Sequence, residues 1–388
     1  MSSRPQSRAA FQIAIACAVT LEYDAATLLF DAFHDEDGDP YGRAPGDYNR
    51  YTTGRIGSLD VVLALASGMG RRAMADLAAG LRASYTGLHL VVLTGICAGI
   101  PADGREMLLG DVVISRTLVQ YDFGRRLPFE FETKESIAHG PHASIRAMVE
   151  AYTTNHERDK LLNRALVLLA ELQAKGAKRR RPVDYSRPPA ATDVLFDAAY
   201  LHRHAAGCDG CSETQICNVA AAASCEELGC DSTRAIVRPR LAALDVDMFV
   251  GRIGCGDKVM RSGKHRDRLA AEYGVIALEM EGVGAWDSLP CVVVKSVCDY
   301  ADSHKNKRWQ LYAAATAAAT TKAMLAGWVR VDSVMIGDAG KGHNGVDGKS
   351  EGEVHNRGAG GVSVGSITAR NVLNGGTYSG DNQTFTFN

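Results

Sequence analysis

The sequence lacks both an excess of charge of one sign and a long uninterrupted apolar run. Its 43 Lys and Arg face 45 Asp and Glu, which gives a formal net charge of −2. This balance excludes a chain that binds nucleic acid through its overall charge. No apolar run reaches the roughly 18 residues that a membrane-spanning helix needs. We therefore expect neither nucleic acid nor a membrane as a partner.

The sequence also lacks a disulfide framework. Its ten Cys are scattered along 388 residues, and a chain of this length does not need disulfides to stabilise its core. We interpret them as mostly reduced thiols of a cytoplasmic protein. The apolar run 9–20, preceded by Arg4 and Arg8, is compatible with a signal peptide. Because no small-residue cleavage pattern follows it, a first buried strand is the favoured interpretation.

Short apolar segments rich in β-branched residues alternate with alanine-rich segments. The predicted strands are FQIAIACAV, LDVVLALAS, HLVVLTGI, GDVVISRTLVQ, DMFVGRIG, GVIALEM and CVVVKSV. Helices are predicted over residues 21–34, in GRRAMADLAAGLRASY and in RWQLYAAATAAATTKAMLAGWV. Continuous apolar strands between helices indicate a mostly parallel α/β sheet with both faces covered.

Two segments depart from this alternation. Within residues 155–187, ERDKLLNRALVLLAELQAKGAKRRRP predicts one charged amphipathic helix that ends in the basic cluster Lys178–Arg181. A solvated helix end is favoured for this cluster over a phosphate contact or a targeting signal. From Asp332 onward the chain has no Pro and no Cys and is rich in Gly, so this tail cannot bury enough apolar surface to fold alone. We predict one large domain over residues 9–330, with an insertion at 155–235, and a tail over 331–388.

Two glycine-rich turns follow predicted strands. In ASGMGRRA, Gly68 and Gly70 would let backbone amides approach an anion at the start of a helix, and Arg71 and Arg72 add positive charge. The same spacing fits a dinucleotide fingerprint, but the acid expected about 20 residues later is absent. A purely structural turn remains an alternative. The second turn, TGICAGIP, places Gly95 near the carboxyl edge of the sheet, where α/β proteins bind ligands.

Carboxylates follow two of the late strands. Glu279 and Glu281 flank Met280 in ALEMEGVGAW, and buried Glu is rare unless it is paired or functional. Asp299 directly follows CVVVKSVC, so its carboxylate is expected at the carboxyl end of a strand. From its position alone, Asp299 is either a structural hydrogen-bond acceptor or a functional acid.

Residues 11–329 resemble the purine/uridine phosphorylase and nucleosidase superfamily, in the version found as the N-terminal effector of fungal NLR-type immune receptors. The motifs that carry the resemblance are, in chain order, TLEYDAATLLFDAFHDED, GDYNRYTTGRIGSLDVVLALASGMGRRA, GDVVIS, VQYDFG, GCGDKVM, EMEG and VCDYADSHKNKRWQLYAAATAAA. The resemblance implies a three-layer αβα fold around a mostly parallel mixed sheet. It also implies cleavage of a base–ribose bond without a metal or another cofactor.

The resemblance further implies roles for individual residues. Glu281 would bind the 2′- and 3′-hydroxyls of ribose, Met280 would pack on the sugar, and Glu279 would support the site as a salt-bridge partner. Asp299 would donate a proton or a hydrogen bond to purine N7, so that the base leaves neutral. Asp302 is either the helper of this acid or a helix cap.

Hydrolysis and phosphorolysis share this fold, and two positions favour hydrolysis. Glu22 matches the residue that positions the attacking water, although an ordinary acid in the first turn of a helix is the alternative. Leu93 stands where the phosphorylases usually carry an Arg that holds phosphate. Without that Arg, a phosphate dianion would be poorly neutralised.

The implied substrates are purine nucleosides or ATP, with base contacts from the backbone of Val259 and Met260. Several cations near the glycine turns could neutralise a polyphosphate or be solvated surface charges: Arg71, Arg72, Arg252, Lys258, Arg261 and Lys264. Two other functions remain open, a phosphorylase that uses phosphate and a non-catalytic nucleotide-binding signalling module.

A Cys- and His-rich segment lies in the predicted insertion. His202 or His204 together with Cys208 and Cys211 has the local spacing of a metal site. The cysteines that follow are irregularly spaced. The sequence therefore favours free thiols over zinc, and we predict no metal ligand.

The tail resembles the short amyloid-forming signalling motifs found next to fungal immune effectors. Apolar and polar residues alternate and Asn recurs, as at Val362, Val364, Ile367, Asn371, Asn374 and Asn382. Such segments can stack in register, and a low-complexity linker is the alternative. The implied partners are an NLR-type receptor or further copies of the tail. Relatives also form homo-oligomers, in which His89 or Tyr121 would serve a neighbouring site.

Overall fold

A computed structural model describes residues 4–102, 104–128, 131–133, 142–204, 208–242, 245–328, 378–380 and 383–385. The chain divides into two compact units, Met1–Val331 and Asp332–Asn388.

The strands of the first unit are Ile13–Cys17 (β1), Ala32–Phe33 (β2), Tyr51–Ile56 (β3), Leu59–Leu65 (β4), Leu90–Gly99 (β5), Val112–Gln120 (β6), Gly124–Arg126 (β7), Phe131–Thr133 (β8), Met248–Cys255 (β9), Val275–Glu279 (β10) and Cys291–Asp299 (β11). Its helices are Thr20–Thr27 (α1), Arg71–Ser84 (α2), Ala143–Ala151 (α3), Asn155–Ala177 (α4), Asn218–Ala222 (α5), Cys225–Leu228 (α6), Gly263–Tyr273 (α7), Gly282–Trp286 (α8) and Gln310–Ala326 (α9).

A mixed sheet organises the first unit, with the strand order β10-β9-β6-β11-β5-β1-β4-β3-β2 in the described residues. The four consecutive strands β11, β5, β1 and β4 run parallel to one another, whereas β11 and β6 are antiparallel, as are β4 and β3. The last residues of β5 also pair antiparallel with β10, at Ala98–Leu278 and Gly99–Ala277. Strands β5, β11, β6, β9 and β10 therefore close on themselves, and the carboxyl ends of β1, β5 and β11 lie along one edge.

Helix α9 shows how the sequence covers this sheet. It is rich in Ala and is buried along most of its circumference, which lets its backbone approach β5 and β11 closely. Its Thr316 and Thr320 hydroxyls donate to the backbone carbonyls of Tyr312 and Thr316 in the same helix, and the Thr321 hydroxyl bonds to Thr94 of β5. Helices α1 and α4 pack on α9, whereas α2 packs on α8, which contacts β11 and β6. Every residue of β1 and β11 is buried.

The predicted α/β class is confirmed, and each predicted strand and helix is found. The apolar run 9–20 contains the buried strand β1, as the sequence favoured. One bound was wrong, because the helix predicted over 21–34 ends at Thr27 and Ala32–Phe33 pairs with β3. The two-residue strand β2 is too short to leave a periodic signal.

The predicted insertion is divided by the structure. Helix α4, which covers most of the amphipathic segment, buries Leu161, Leu169 and Leu172 in the main hydrophobic core, so it belongs to the body of the domain. Residues 190–242 contain only short helices among the described residues. The insertion at 155–235 itself stays a prediction.

In the second unit, Tyr378–Gly380 (β12) and Gln383–Phe385 (β13) form an antiparallel pair. The remainder of the predicted amyloid-like tail lies outside the described residues. Among the helices that are described, none is both long and apolar enough to cross a membrane.

Candidate active site

A cavity of about 390 Å³ opens at the carboxyl ends of β1, β5 and β11. Eight of the residues predicted from the sequence line it: Glu22, Lys258, Val259, Met260, Arg261, Met280, Glu281 and Asp299. These residues come from the first strand–helix turn, the loop after β9, the end of β10 and the end of β11. The tertiary structure thus brings together positions that are up to 277 residues apart in the chain.

Glu22 is held rigidly at the base of the cavity by backbone amides. Its Oε2 accepts hydrogen bonds from the N–H of Ala18 (2.8 Å) and Val19 (3.2 Å), and its Oε1 accepts one from Ile96 N–H (2.8 Å). The residue is 2% exposed. Gly95 is required here, because a Cβ at this position would overlap the Glu22 carboxylate. Gly95 therefore acts by leaving room for Glu22.

Glu281 faces Glu22 across a buried cation. The N–H of Gly70 donates to its Oε1 (3.3 Å) and the N–H of Met280 donates to its Oε2 (3.3 Å). Behind it, Glu279 accepts hydrogen bonds from the N–H groups of Glu281 (3.0 Å) and Gly282 (2.8 Å). Burial and the neighbouring Glu281 carboxylate raise the pKa of Glu279. Glu279 thus supports the turn that carries Met280 and Glu281.

Lys295 is the functional candidate that the sequence analysis missed. Its Nζ lies 3.5 Å from Glu22 Oε1 and 3.5 Å from Glu281 Oε2, and the side chain is fully buried. Burial alone lowers the pKa of a lysine, but the carboxylates of Glu22, Glu281 and Glu279 more than offset this and raise the pKa of Lys295. A single Lys inside the apolar strand CVVVKSVC was the available signal, since buried Lys is rare unless paired.

Asp299 stands at the opposite end of the cavity. Its Oδ1 accepts a hydrogen bond from Ala301 N–H (2.9 Å) and its Oδ2 lies 3.0 Å from Lys305 Nζ. Ala301 adopts a left-handed φ of 56°, which is uncommon for a residue with a side chain and costs conformational energy. This backbone turn aims the Asp299 carboxylate at Lys305 and the cavity.

Asp302 does not line this cavity but lies beside it. Its Oδ1 accepts a hydrogen bond from His304 N–H (2.9 Å), and its buried Oδ2 has no hydrogen-bond partner among the described residues. Burial raises the pKa of Asp302 to about 6, although Arg266 opposes the shift. Its contact with the His304 amide is a local turn rather than a cap of α9, which begins at Gln310.

The glycine-rich turn before α2 differs from the predicted anion site. Asp257 accepts hydrogen bonds from the backbone N–H and the guanidinium of Arg71 (2.9 Å each), and Asp122 lies 3.1 Å from the same guanidinium. None of the four residues predicted here, Gly68, Gly70, Arg71 and Arg72, is among the described residues that line the cavity. The backbone amides that were expected to bind a phosphate therefore donate to the protein's own carboxylates. Arg71 N–H donates to Asp257, and Gly70 N–H donates to Glu281.

Other cations surround the mouth of the cavity. Lys258, Arg261, Lys305 and Lys307 all line it, and the neighbouring Val259 is 55% exposed. Arg252 and Lys264, also predicted near a polyphosphate, are absent from its described lining. The cavity thus has an anionic base around Glu22 and Glu281 and a cationic rim.

Tyr121 is 5% exposed and packs against Gly256 within its own chain. Gly254 and Gly256 leave room for its ring, and a role of Tyr121 in a neighbouring subunit's site stays a prediction. His89 lies directly before β5, where its N–H donates to the backbone carbonyl of Gln12 (2.8 Å).

Known proteins resemble this chain in sequence. Residues 12–183 match the model of the phosphorylase superfamily. The chain is also 28% identical over 318 residues to a nucleotide-binding leucine-rich repeat (NLR)-like protein of Hyaloscypha variabilis, in an alignment that covers 80% of this chain and 28% of the relative. The chain therefore corresponds to about a quarter of that relative's length. The resemblance to the phosphorylase superfamily is thus confirmed over residues 12–183, and the resemblance of the tail to amyloid-forming motifs stays a prediction.

Solved structures also align with the chain over most of its length. A 5′-methylthioadenosine/S-adenosylhomocysteine nucleosidase of Helicobacter pylori is 16% identical, with 82% of this chain and 98% of that chain covered and a TM-score of 0.48. Futalosine hydrolase of Helicobacter pylori is 17% identical, with 82% and 98% covered and a TM-score of 0.48.

Proposed function

Starting from the phosphorylase-superfamily match of residues 12–183, we propose that this chain is an N-glycosidase that hydrolyses the base–ribose bond of purine nucleosides or nucleotides. The observation that carries the proposal is the placement of Glu22, Glu281 and Asp299 around one cavity, with Lys295 between the two glutamates. This cavity offers a carboxylate for a diol, a second carboxylate for water and an acid–base pair for a leaving base.

The sugar binds at the base of the cavity. Glu281 accepts hydrogen bonds from two adjacent ribose hydroxyls, a geometry that suits the two oxygens of a carboxylate. These bonds strengthen as the ring acquires oxocarbenium character in the transition state. The Met280 side chain packs on the sugar face, while Lys295 holds the Glu281 carboxylate in place from behind.

Water attacks the anomeric carbon with help from Glu22. Three backbone amides and Lys295 surround its carboxylate, so its orientation is set before substrate arrives. The two longest contacts to this carboxylate come from Val19 N–H (3.2 Å) and Lys295 Nζ (3.5 Å). Because long hydrogen bonds are weak, the carboxylate oxygens of Glu22 can accept a further hydrogen bond from a water molecule. Glu22 then accepts the proton that the water loses as the new C–O bond forms.

The purine leaves at the opposite end. A purine anion is a poor leaving group, and a proton or hydrogen bond at N7 lowers the barrier. Asp299 and Lys305, 3.0 Å apart, both line the cavity, and Asp299 is the group that would supply the proton or hydrogen bond. The Ala301 turn keeps Asp299 in this position.

The electrostatics of the base of the cavity favour water over phosphate. Three carboxylates (Glu22, Glu279 and Glu281) surround one ammonium (Lys295), and a phosphate dianion would be repelled by this negative balance. Leu93, where an Arg was considered, is fully buried in β5. Phosphorolysis is therefore the runner-up, and it would require phosphate to bind next to these carboxylates.

Among purine nucleosides and nucleotides, we propose ATP as the substrate. Lys258, Arg261 and Lys307 line the cavity and are exposed, and the 5′-phosphates of a nucleotide would extend toward them. Because flexible exposed cations bind phosphates with little geometric demand, unphosphorylated nucleosides remain substrates in this proposal, bound without the rim. Depletion of ATP by an effector domain of an NLR-like protein in the cytoplasm is the biological role that we infer.

The test is a substrate panel of ATP, AMP, adenosine, inosine and uridine, each with and without phosphate, with released base measured by chromatography. We expect release of adenine from ATP or adenosine without phosphate. Asp299→Asn should abolish release and retain nucleotide binding, whereas Asp287→Asn, an exposed Asp outside the cavity, should leave the rate unchanged.

Each other outcome identifies a different function. Release that depends on added phosphate would make the chain a phosphorylase. Binding of ATP by the wild type without release of any base would make it a nucleotide-binding signalling module. Full activity of Asp299→Asn would remove Asp299 from the mechanism.

A further inference from the structure

The segment after α4 concentrates the accessible thiols of the chain. All five cysteines that are only partly buried lie there, at Cys208, Cys211, Cys217, Cys225 and Cys230, whereas the other five are buried. None of the ten forms a disulfide in the structure. The proposed N-glycosidase reaction uses none of these five.

A first cluster contains His204, Cys208, Cys211 and Cys217, whose ligand atoms lie within 4.8 Å of one another. His204 Nδ1 is 3.6 Å from Cys211 Sγ and 3.7 Å from Cys217 Sγ. Cys208 Sγ and Cys217 Sγ are 3.8 Å apart. Four ligands at the corners of a tetrahedron around zinc, with Zn–S of about 2.3 Å and Zn–N of about 2.0 Å, are separated by about 3.5–3.8 Å.

A second cluster contains His202, Cys230 and His304, and Cys225 lies beside its His202. Cys230 Sγ and Cys225 Sγ lie 3.3 Å and 3.8 Å from His202 Nδ1. The ligand atoms of His202, Cys230 and His304 lie within 4.8 Å of one another. The other ring nitrogen of His202, Nε2, is 2.9 Å from the carbonyl oxygen of Ala223, the outer contact that usually orients a metal-bound histidine.

His304 gives independent evidence for a ligand. It is 6% exposed, and neither of its ring nitrogens has a hydrogen-bond partner within the part of the chain that the structure describes. A buried imidazole with both nitrogens unsatisfied is costly and needs an explanation. Its Nδ1 lies 3.8 Å from Asp302 Oδ1, which resembles the carboxylate found behind metal-binding histidines. A metal ion in the second cluster would satisfy His304.

We propose that the chain binds two structural zinc ions, one held by His204, Cys208, Cys211 and Cys217 and the other by His202, Cys225, Cys230 and His304. Thiolate and imidazole ligands in closed four-coordinate sets are the chemistry of structural zinc. The thiols give up their protons to solvent as zinc binds, and no oxidant is required. The sequence analysis, which favoured free thiols, is replaced by this proposal.

Zinc would also supply the stability that the segment itself lacks. Its helices α5 and α6 have five and four residues, and short helices contribute little without tertiary support. Metal-binding free energy is folding free energy in such segments. The two ions would therefore order residues 202–230, and chelation would loosen them without unfolding the sheet.

The second ion would connect this segment to the catalytic loop. His304 is adjacent to Lys305, which pairs with Asp299. A cavity of about 240 Å³ beside the active site is lined by Cys225, His304, Lys305 and Asp299. The second zinc would therefore fix the position of the loop that carries the proposed acid, as a positioning element and not as a catalytic metal.

The test is the metal content of the full chain, purified with thiol reductant and without chelator, by inductively coupled plasma mass spectrometry. We expect two zinc per chain. Cys211→Ser and Cys230→Ser should each reduce this to one, and His304→Asn should remove the second ion only. Cys291→Ser, a buried thiol of β11 outside both clusters, is the matched control and should retain two.

Cobalt exchange provides a readout that does not depend on activity or on the folding of a variant. The wild-type chain reconstituted with Co²⁺ should show the intense visible absorption of tetrahedral thiolate coordination. Absence of bound zinc together with absence of this absorption would overturn the proposal. A mass lower by two hydrogens, mapped to Cys208 and Cys217 or to Cys225 and Cys230, would overturn it in favour of disulfides.

Discussion

At the scale of the residue, Lys295 is the group on which the geometry of the base of the cavity depends. One ammonium lies 3.5 Å from each of two buried carboxylates, those of Glu22 and Glu281. Removal of one partner from a buried charged cluster leaves the others uncompensated. The stability of the fold and the orientation of both glutamates are therefore coupled at this position.

We predict that Lys295→Met lowers the free energy of unfolding by about 3–5 kcal/mol, because Glu22 and Glu281 lose their buried counter-charge. It should also lower the rate of base release. Chemical denaturation and chromatography measure the two effects. Lys264→Met, on the exposed surface of α7, is the control; equal stability of the two variants would contradict the coupling.

Gly95 allows a second residue-scale prediction. Gly95→Ala places a methyl group into the Glu22 carboxylate, and displacement of this group by about 1 Å should cost roughly a hundredfold in the rate of base release. Gly327→Ala adds a methyl group at ordinary contact distance, 3.5 Å from Met324 O, and should change nothing. A fully active Gly95→Ala variant would mean that Glu22 need not lie where the structure places it.

At the scale of the element, the contact between α2 and α8 aligns the turn that carries Glu281. Gly284 in α8 lies against the backbone of Arg71 and Ala75 in α2, so the two helices approach more closely than any side chain would allow. The N–H of Gly70, directly before α2, donates to Glu281 at the start of α8. Helix packing and the sugar-binding carboxylate are thus connected.

We predict that Gly284→Ala separates the two helices and costs about 1–3 kcal/mol of unfolding free energy, the usual cost of forcing a methyl group into a packed contact. The KM for nucleoside should rise with it, since the Gly70–Glu281 hydrogen bond lengthens. Urea denaturation and initial-rate kinetics provide the measurements. A variant with unchanged stability and KM would show that the helices adjust without affecting the site.

At the scale of the whole molecule, the chain separates into the unit Met1–Val331 and the unit Asp332–Asn388. Every residue that lines the active-site cavity belongs to the first unit. We predict that a chain ending at Val331 retains the rate of base release of the full chain, measured by the same chromatography. A large loss of activity on truncation would make the tail part of the catalytic unit.

The tail carries a prediction of its own, and most of it lies outside the described residues. Residues 355–388 alone should form fibres, because an Asn-rich segment without Pro can stack in register. Thioflavin fluorescence and electron microscopy test this, with the Met1–Val331 unit as the negative control. A peptide that remains soluble at high concentration would leave the tail as a linker.

Much of the fold was predictable because its signals are local. Apolar β-branched runs and Ala-rich segments placed the strands and helices, and the motifs around Glu22, Glu281 and Asp299 predicted residues that the structure brings to one cavity. The edge strand β2 was missed, because a two-residue strand is defined by its pairing with β3. The packing of helix α4 on α9 was likewise not visible in its own residues.

The sequence by itself determined the α/β class and the residue types that the proposed chemistry needs, because periodicity and short motifs are properties of neighbouring residues. Only the tertiary structure decided which charges meet. Lys295 contacts Glu22, 273 positions away in the chain, so a buried cation is part of the site. Arg71, predicted to bind phosphate, instead pairs with Asp257, 186 positions away. His304 likewise joins a cysteine cluster about 75 to 100 positions earlier. Such pairings depend on how the strands are ordered in the sheet, and no spacing along the chain encodes them.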